Sequence, residues 1–221
     1  MTKFQIAFLV IFGITSIIHL VFCYLEKENA RMISKPLCLF FLMIATIPMI
    51  KAHPGLFLGA MFSCIGDIFL IWNKKEKMFM AGTISFFVAH LMHLIELVGL
   101  LTFHIPWFVY LIAALVGVGV DILLCKTNTK TYGKLLAPFC NYYAFTLIIM
   151  FAMSFILAVT GSYKNYAVML VVGYASFIVS DLILSKTTFE KDIKRRDFPI
   201  MITYLIGELF IIMSLMLMYS H

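Results

Sequence analysis

The chain has 221 residues, of which 63% are hydrophobic and only 13% charged, with a formal net charge of +6. A water-soluble core does not use that much apolar side chain, so the composition excludes an ordinary globular domain and points to a protein dissolved in a bilayer. The positive balance is accompanied by no basic helix and no RNA-binding motif, which excludes nucleic acid as its explanation.

Charged and proline-containing breaks divide the sequence into apolar stretches near residues 4–25, 36–50, 56–72, 78–101, 105–125, 135–160, 166–185 and 198–219. About 20 apolar residues cross the hydrocarbon core, so most of these are long enough to span it. The sequence therefore predicts an all-α polytopic membrane bundle of about eight transmembrane helices in one domain covering 1–221. The first stretch has a thin positive start at Lys3 and no small-residue cleavage site before Glu26, which reads as a span rather than a signal peptide. The second and third stretches are short and separated only by Lys51, His53 and Pro54, so they are read either as two spans or as a broken, tilted hairpin.

Lysine and arginine concentrate in loops that remain cytoplasmic. The segments following stretches 1, 3, 5 and 7 hold 14 of the 17 basic residues, including Lys27, Arg31 and Lys35, Lys74 to Lys77, Lys126 to Lys134, and Lys186 to Arg196. The opposite side keeps Lys3, Lys51 and Lys164. Both termini are thus expected outside the cytoplasm, and the net charge reflects topology and contact with anionic membrane lipids. That pattern suits a bacterial inner membrane or an endoplasmic reticulum-type membrane. Cysteines 23, 38, 64, 125 and 140 occur singly, with no Cys-x-x-Cys pair and no zinc spacing, and read as inert buried thiols.

Three aspartates break the apolar pattern, each shortly before a basic loop: Asp67 in Gly66-Asp67-Ile68-Phe69-Leu70, Asp121 in Val120-Asp121-Ile122-Leu123-Leu124, and Asp181 in Ser180-Asp181-Leu182-Ile183-Leu184. An ionisable side chain in lipid is costly and faces the bundle interior or a water-filled cavity, which makes each a candidate site residue. Their separations of 54 and 60 residues match one down-and-up helix pair. A parallel repeat of helix hairpins accounts for this spacing, as does chance likeness between apolar helices. Small residues, Gly59 and Ser63 before Asp67 and Gly173 before Asp181, line the same helical faces and turn them toward protein. Asp121 lies near a helix end and reads as structural.

Other polar residues fall at compatible depths. The fourth stretch carries Gly82, Phe86 and His90 on one face, with His93 and Glu96 continuing around it; the sixth carries Asn141, Tyr142 and Tyr143; the eighth carries Tyr204 and Glu208, four apart on one face. A polar cavity open to the cytoplasmic leaflet would collect them with Asp67 and Asp181. Lys35 stands at its mouth. His19 and His93 read as structural.

An ordered set of these pieces resembles the YhhN family of polytopic membrane proteins: Lys35-Pro36, Gly66 to Leu70, Gly82 with Phe86, Ala89-His90-Leu91, Tyr142 or Tyr143, Gly173 through Phe177 to Ser180–Leu184 with Phe189, and Thr203-Tyr204-x-x-x-Glu208. The set covers most of the chain from Lys35 onward. Glu208 departs from the resemblance, whose pattern usually has glutamine there, and Asp121 has no counterpart in it.

The resemblance implies a lysoplasmalogenase, a hydrolase that splits the vinyl ether of a lysophospholipid into a fatty aldehyde and a glycerophospho-headgroup; no cofactor and no metal are expected, because two carboxyl groups suffice for that chemistry and the ligand set for zinc is incomplete. The residues suit that chemistry independently. Protonation of the vinyl ether β-carbon creates an oxocarbenium ion that water captures, and glycosidases manage a comparable cation with one protonated and one ionised carboxyl group. Asp67 and Asp181 are the expected pair, with acid and base roles open, and His90 is expected to orient water or shuttle a proton. Lys35, Asn141, Tyr142, Tyr204 and Glu208 are the expected substrate-binding residues. Two other readings stand beside this one. His90, His93 and the aspartates could hold zinc in a metal-dependent lipid hydrolase; alternatively, the buried acids could form the path of a proton-coupled transporter. Oligomeric state and headgroup preference are not legible.

Overall fold

The computed structural model describes residues 1–100, 107–160 and 163–220, with few side chains between 107 and 135. Its described residues form seven α-helices: α1 (Lys3–Tyr24), α2 (Glu28–Thr46), α3 (Pro54–Leu70), α4 (Glu76–Leu100), α5 (Trp107–Thr160), α6 (Lys164–Phe189) and α7 (Asp197–Met218). Among the described residues, six helical segments are long and apolar enough to cross a membrane: Lys3–Tyr24, Glu28–Met49, Glu76–Leu100, Leu136–Val159, Asn165–Phe189 and Asp197–Met218. Pro54–Leu70 is a shorter apolar helix. This is a polytopic helical membrane bundle.

Local chemistry sets the boundaries. Thr2 and Gln5 form a reciprocal capping box at the start of α1: the Thr2 hydroxyl accepts from the Gln5 backbone N–H at 3.2 Å and the Gln5 side chain accepts from the Thr2 N–H at 2.8 Å. Pro54 opens α3, where a missing N–H costs nothing. Between α2 and α3 the chain makes a single 3₁₀ turn, Ile47–Met49, so these short neighbours form a tight hairpin with a broken corner.

The fifth and sixth apolar stretches depart from the sequence expectation. They remain two helices, but the backbone of Lys126 to Lys130 is helical where a loop was expected; the two meet inside α5 across a kink at Gly133, with φ 75° and ψ 173°. That conformation is accessible to glycine and strained for residues with a Cβ. The Asp121 side chain, those of Lys126, Lys130 and Lys134, and Cys125 lie outside the described residues.

Helix α3 packs chiefly on α4, α6 on α7, and α1 on α2. In lipid such pairs are held by close contact rather than by a hydrophobic driving force, and small residues permit it. A Cβ at Gly66 would meet the Phe86 ring at 2.7 Å, and one at Gly82 would meet the Leu70 side chain at 2.7 Å. Gly173 and Gly207 play the same part between α6 and α7, each with a Cβ position 3.0 Å from a backbone nitrogen of the other helix. The two hairpins thus each bring an aspartate-bearing helix tightly against its successor.

The basic segments converge at one end. The Arg195 guanidinium lies 4.2 Å over the Tyr24 ring, its backbone N–H donates to Glu26, Arg196 donates to Asn73 at 3.0 Å, and Lys74 faces Asp192 at 3.8 Å. At the other end His53 stacks on Tyr219 at 3.5 Å, the Tyr219 hydroxyl donates to the Glu96 carbonyl, and the Gly55 N–H donates to the Glu96 carboxylate at 2.7 Å. Helix α1 begins and α7 ends at this second end, so both termini lie away from the basic loops.

Candidate functional site

Asp67 sits on the inner face of α3, in register with buried Gly59, Ser63 and Leu70, while Ile68 turns outward to 43% exposure. Asp181 occupies the matching position on α6, next to Ser180, whose hydroxyl donates to the Ile200 carbonyl and ties α6 to α7. Both aspartates line one cavity of about 80 Å³ that opens toward the basic end. Lys35 and Tyr204 line it too.

Each carboxyl has its own partner. Lys35 Nζ lies 3.4 Å from Asp67 Oδ1, with Lys35 largely shielded and Asp67 fully buried. The Tyr143 hydroxyl donates to Asp181 Oδ2 at 2.5 Å. The Tyr204 hydroxyl lies beside Asp67 without hydrogen-bond geometry, and Asp67 Oδ2 lacks a partner among the described residues. The cavity therefore presents one carboxyl beside an ammonium and another held by a neutral phenol.

The mouth of the cavity is ionic. Arg31 pairs with Asp197, and Arg196 reaches Asn73, the Thr187 carbonyl and, at 3.7 Å, both Asp192 and Asp197. His19 lines the wall with Cys23. The Ser34 hydroxyl donates to the Ala30 carbonyl, so His19 Nδ1 donates to Ser34 at 2.7 Å and its Nε2 faces the Cys23 thiol at 3.4 Å.

A second cavity of about 190 Å³ adjoins the first. Its walls are apolar, from Phe79 and Phe86 on α4, Tyr143 and Leu147 on α5, and Ile178 and Leu182 on α6. Leu70, Phe86, Asp181 and Leu184 belong to both cavities. Asp181 is thus the carboxyl at the junction of a charged mouth and a hydrocarbon-lined chamber.

Several expected site residues stand elsewhere. Tyr142 is 67% exposed on the outer face of α5, because the buried phase Leu136, Cys140, Leu147, Met150 selects its neighbour Tyr143. His90 is fully buried and lines neither cavity; it packs behind the site, with ring centroids 4.7 Å from Phe177 and 6.0 Å from Tyr143, and neither ring nitrogen has a hydrogen-bond partner among the described residues. Glu208 is also fully buried off both cavities, close to Ser63 but outside hydrogen-bond geometry. Asn141 is buried on α5 and lines neither cavity. His93 packs into the Gly59 gap, where a Cβ would overlap its imidazole. Among the described residues no three His, Cys, Asp or Glu side chains converge as metal ligands.

Sequence reasoning missed Tyr143 as distinct from Tyr142, and with it His19, Arg31, Asn73 and Arg196. Nothing in the sequence separates the two tyrosines, because this part of α5 is apolar around its whole circumference and its buried phase shows only in the structure. Arg31 and Lys35 are four apart on one helix face, which could have marked both as pointing inward.

A helical membrane bundle with two aspartates in a cavity at its basic end defines a class of intramembrane proteins with a carboxyl-lined site. The sequence pattern of the YhhN family matches residues 30–215, most of the chain, and the protein belongs to that family. No curated protein and no solved structure matches the chain.

Proposed function

We propose that the protein is an intramembrane ether hydrolase that cleaves the vinyl ether bond of lysoplasmalogens, releasing a fatty aldehyde and a glycerophospho-headgroup. The observation that carries this reading is the position of Asp181, shared between the ionic cavity and the apolar chamber. A single-chain amphiphile with its phosphate at Arg31 and Arg196 and its hydrocarbon in the chamber brings the bond joining head to tail against the two carboxyls. Arginine forks suit phosphate oxygens, and the carboxylates they now engage are exchanged for them. Membership of the YhhN family, which includes lysoplasmalogenases, supports the same class.

In this reading Asp181 gives its proton to the β-carbon of the vinyl ether. The double-bond pair forms the new C–H bond, and the adjacent carbon becomes an oxocarbenium shared with the ether oxygen. Asp67, charge-compensated by Lys35, faces that cation and takes a proton from the water that adds to it. The resulting hemiacetal loses its hydroxyl proton as its bond to the glycerol oxygen breaks, and that oxygen is protonated as it leaves. One water is consumed, and return of a proton from Asp67 to Asp181 restores the site. Tyr143 holds Asp181 through one oxygen and leaves the other toward substrate. Tyr204 supplies a hydroxyl for the glycerol.

Purified protein supplied separately with alkenyl, acyl and alkyl lysophospholipids tests the reading. Aldehyde from the alkenyl lipid alone is expected. Fatty acid release from the acyl lipid with the alkenyl lipid untouched overturns it, as does uptake into proteoliposomes without any product.

A further inference from the structure

The apolar chamber is not enclosed on every side. Toward the basic end it is capped: the Tyr132 hydroxyl hydrogen-bonds to Ser185, and the rings of Tyr132 and Phe79 both meet Phe189 edge-on with centroids 4.9 Å apart. Its inner wall, Leu70 and Phe86, is buried. On the remaining side Leu182, which lines the chamber, is 56% exposed, and Val179, on the same helix one turn earlier, is 44% exposed. Ile148 and Ile178, at the deeper end, are only partly covered. The chamber therefore faces outward between α5 and α6, on a surface whose neighbours are apolar side chains at bilayer depth.

We infer that the occupant of this cleft is the hydrocarbon chain of a single-chain lipid, and that only the carbons next to the reacting bond are held by protein. The remainder of the chain leaves past Leu182 into the bilayer. Two features of the site select this occupant. The chamber is continuous with the ionic cavity at Asp181, so whatever fills it is covalently joined to a polar group, and the aromatic cap forbids an exit toward water. An apolar chain in lipid gains nothing by moving deeper into an apolar protein, since the bilayer solvates it equally well. Protein contact with the distal chain thus contributes no binding energy, and the chamber reads only the segment beside the bond. The inference rests on the hydrolase reading for the identity of that bond but makes a separate claim about where the chain lies.

Photolabelling of the full-length protein in nanodiscs tests it. The probes are non-hydrolysable alkyl lysophospholipids carrying a diazirine either near the ether oxygen or near the chain methyl. The proximal probe is expected to label α5 and α6 around Tyr143 and Leu182, in competition with unmodified alkyl lysolipid, and the distal probe is expected to label lipid or outward-facing residues. Labelling of buried core residues such as Leu39 or Leu170 by the distal probe, or absence of chamber labelling by the proximal one, overturns the proposal. Kinetics supply a second arm. Alkenyl substrates of increasing length at equal mole fraction should differ by no more than about threefold in kcat/KM, and Leu182→Trp should raise KM by about tenfold with kcat retained. A sharp cut-off in chain length overturns it. If the probes label the chamber while the alkenyl lipid is not hydrolysed, the hydrolase reading fails and the chain path stands; if the alkenyl lipid is hydrolysed without chamber labelling, the chain path fails and the hydrolase reading stands.

Discussion

Lys35 Nζ lies 3.4 Å from Asp67 Oδ1, joining α2 to α3 across the floor of the ionic cavity. The pair supplies a fixed ammonium in contact with one carboxyl, whereas the carboxyl of Asp181 accepts a hydrogen bond from the Tyr143 phenol. Two aspartates in similar local sequence thereby acquire different surroundings, the condition under which paired carboxyls divide acid and base work.

Asp67→Asn and Asp181→Asn should each lower aldehyde release by about 10² to 10⁴, because asparagine keeps size and hydrogen bonding but neither gives an acidic proton nor carries charge. Asp121→Asn, in comparable local sequence but without a counterpart in the family pattern, should be much milder. Turnover measured at matched expression and monodispersity in detergent checks this. Equal inactivity of all three variants indicates a three-carboxyl arrangement, and near-normal turnover of either Asp67→Asn or Asp181→Asn removes the proposed mechanism.

Adjacent tyrosines separate the inner face of α5 from its outer face. Tyr143→Phe removes the hydroxyl that holds Asp181 and should lower kcat by about tenfold, the scale of a hydrogen bond to the carboxylate that forms as Asp181 gives up its proton. Tyr142→Phe, on the 67% exposed neighbour, should leave kcat and KM unchanged. The paired kinetic constants decide the register; the reverse result puts Tyr142 inside.

Turnover should persist through exhaustive chelation, since two carboxyl groups suffice to protonate a vinyl ether and, among the described residues, no three ligand side chains converge. Activity assayed after EDTA and phenanthroline is the check. Loss that zinc restores identifies a metallohydrolase instead.

Glycine at 59 is required by His93 rather than by backbone conformation. Gly59→Ala drives a methyl into the His93 imidazole in a packed interior and should destabilise the bundle by about 1–3 kcal/mol. Gly13→Ala on α1, with nothing within 4 Å of the new carbon, should be neutral or slightly stabilising. Thermal melting in detergent compares them, and equal melting temperatures contradict the packing.

Labelling of single cysteines should find position 3 and positions 191–196 on opposite sides of the membrane, given the 14-to-3 division of basic residues and the assembly of the basic loops at one end. The same side for both refutes the topology.

Hydropathy by itself determined that the chain is a polytopic helical bundle, because lipid forces each backbone polar group to be satisfied within its own segment and so ties structure to local composition. Basic-residue counting predicted which loops gather together, and the cost of a carboxylate in hydrocarbon marked Asp67 and Asp181 before any geometry was available. What the tertiary structure decided were facts of phase and depth. Tyr142 and Tyr143 differ by one residue and about 100° around a helix, and only packing against α6 selects the second. Arg31 and Arg196 look like ordinary topology charges until the starts of α2 and α7, far apart in sequence, close over one cavity. His90 and Glu208 have the residue types of a site, yet small neighbours such as Gly59 and Ser63 let the helices close over them and leave them in the core behind it. Periodicity ranks the faces of one helix; which face meets another helix, and at what distance, depends on contacts between segments that no local pattern encodes.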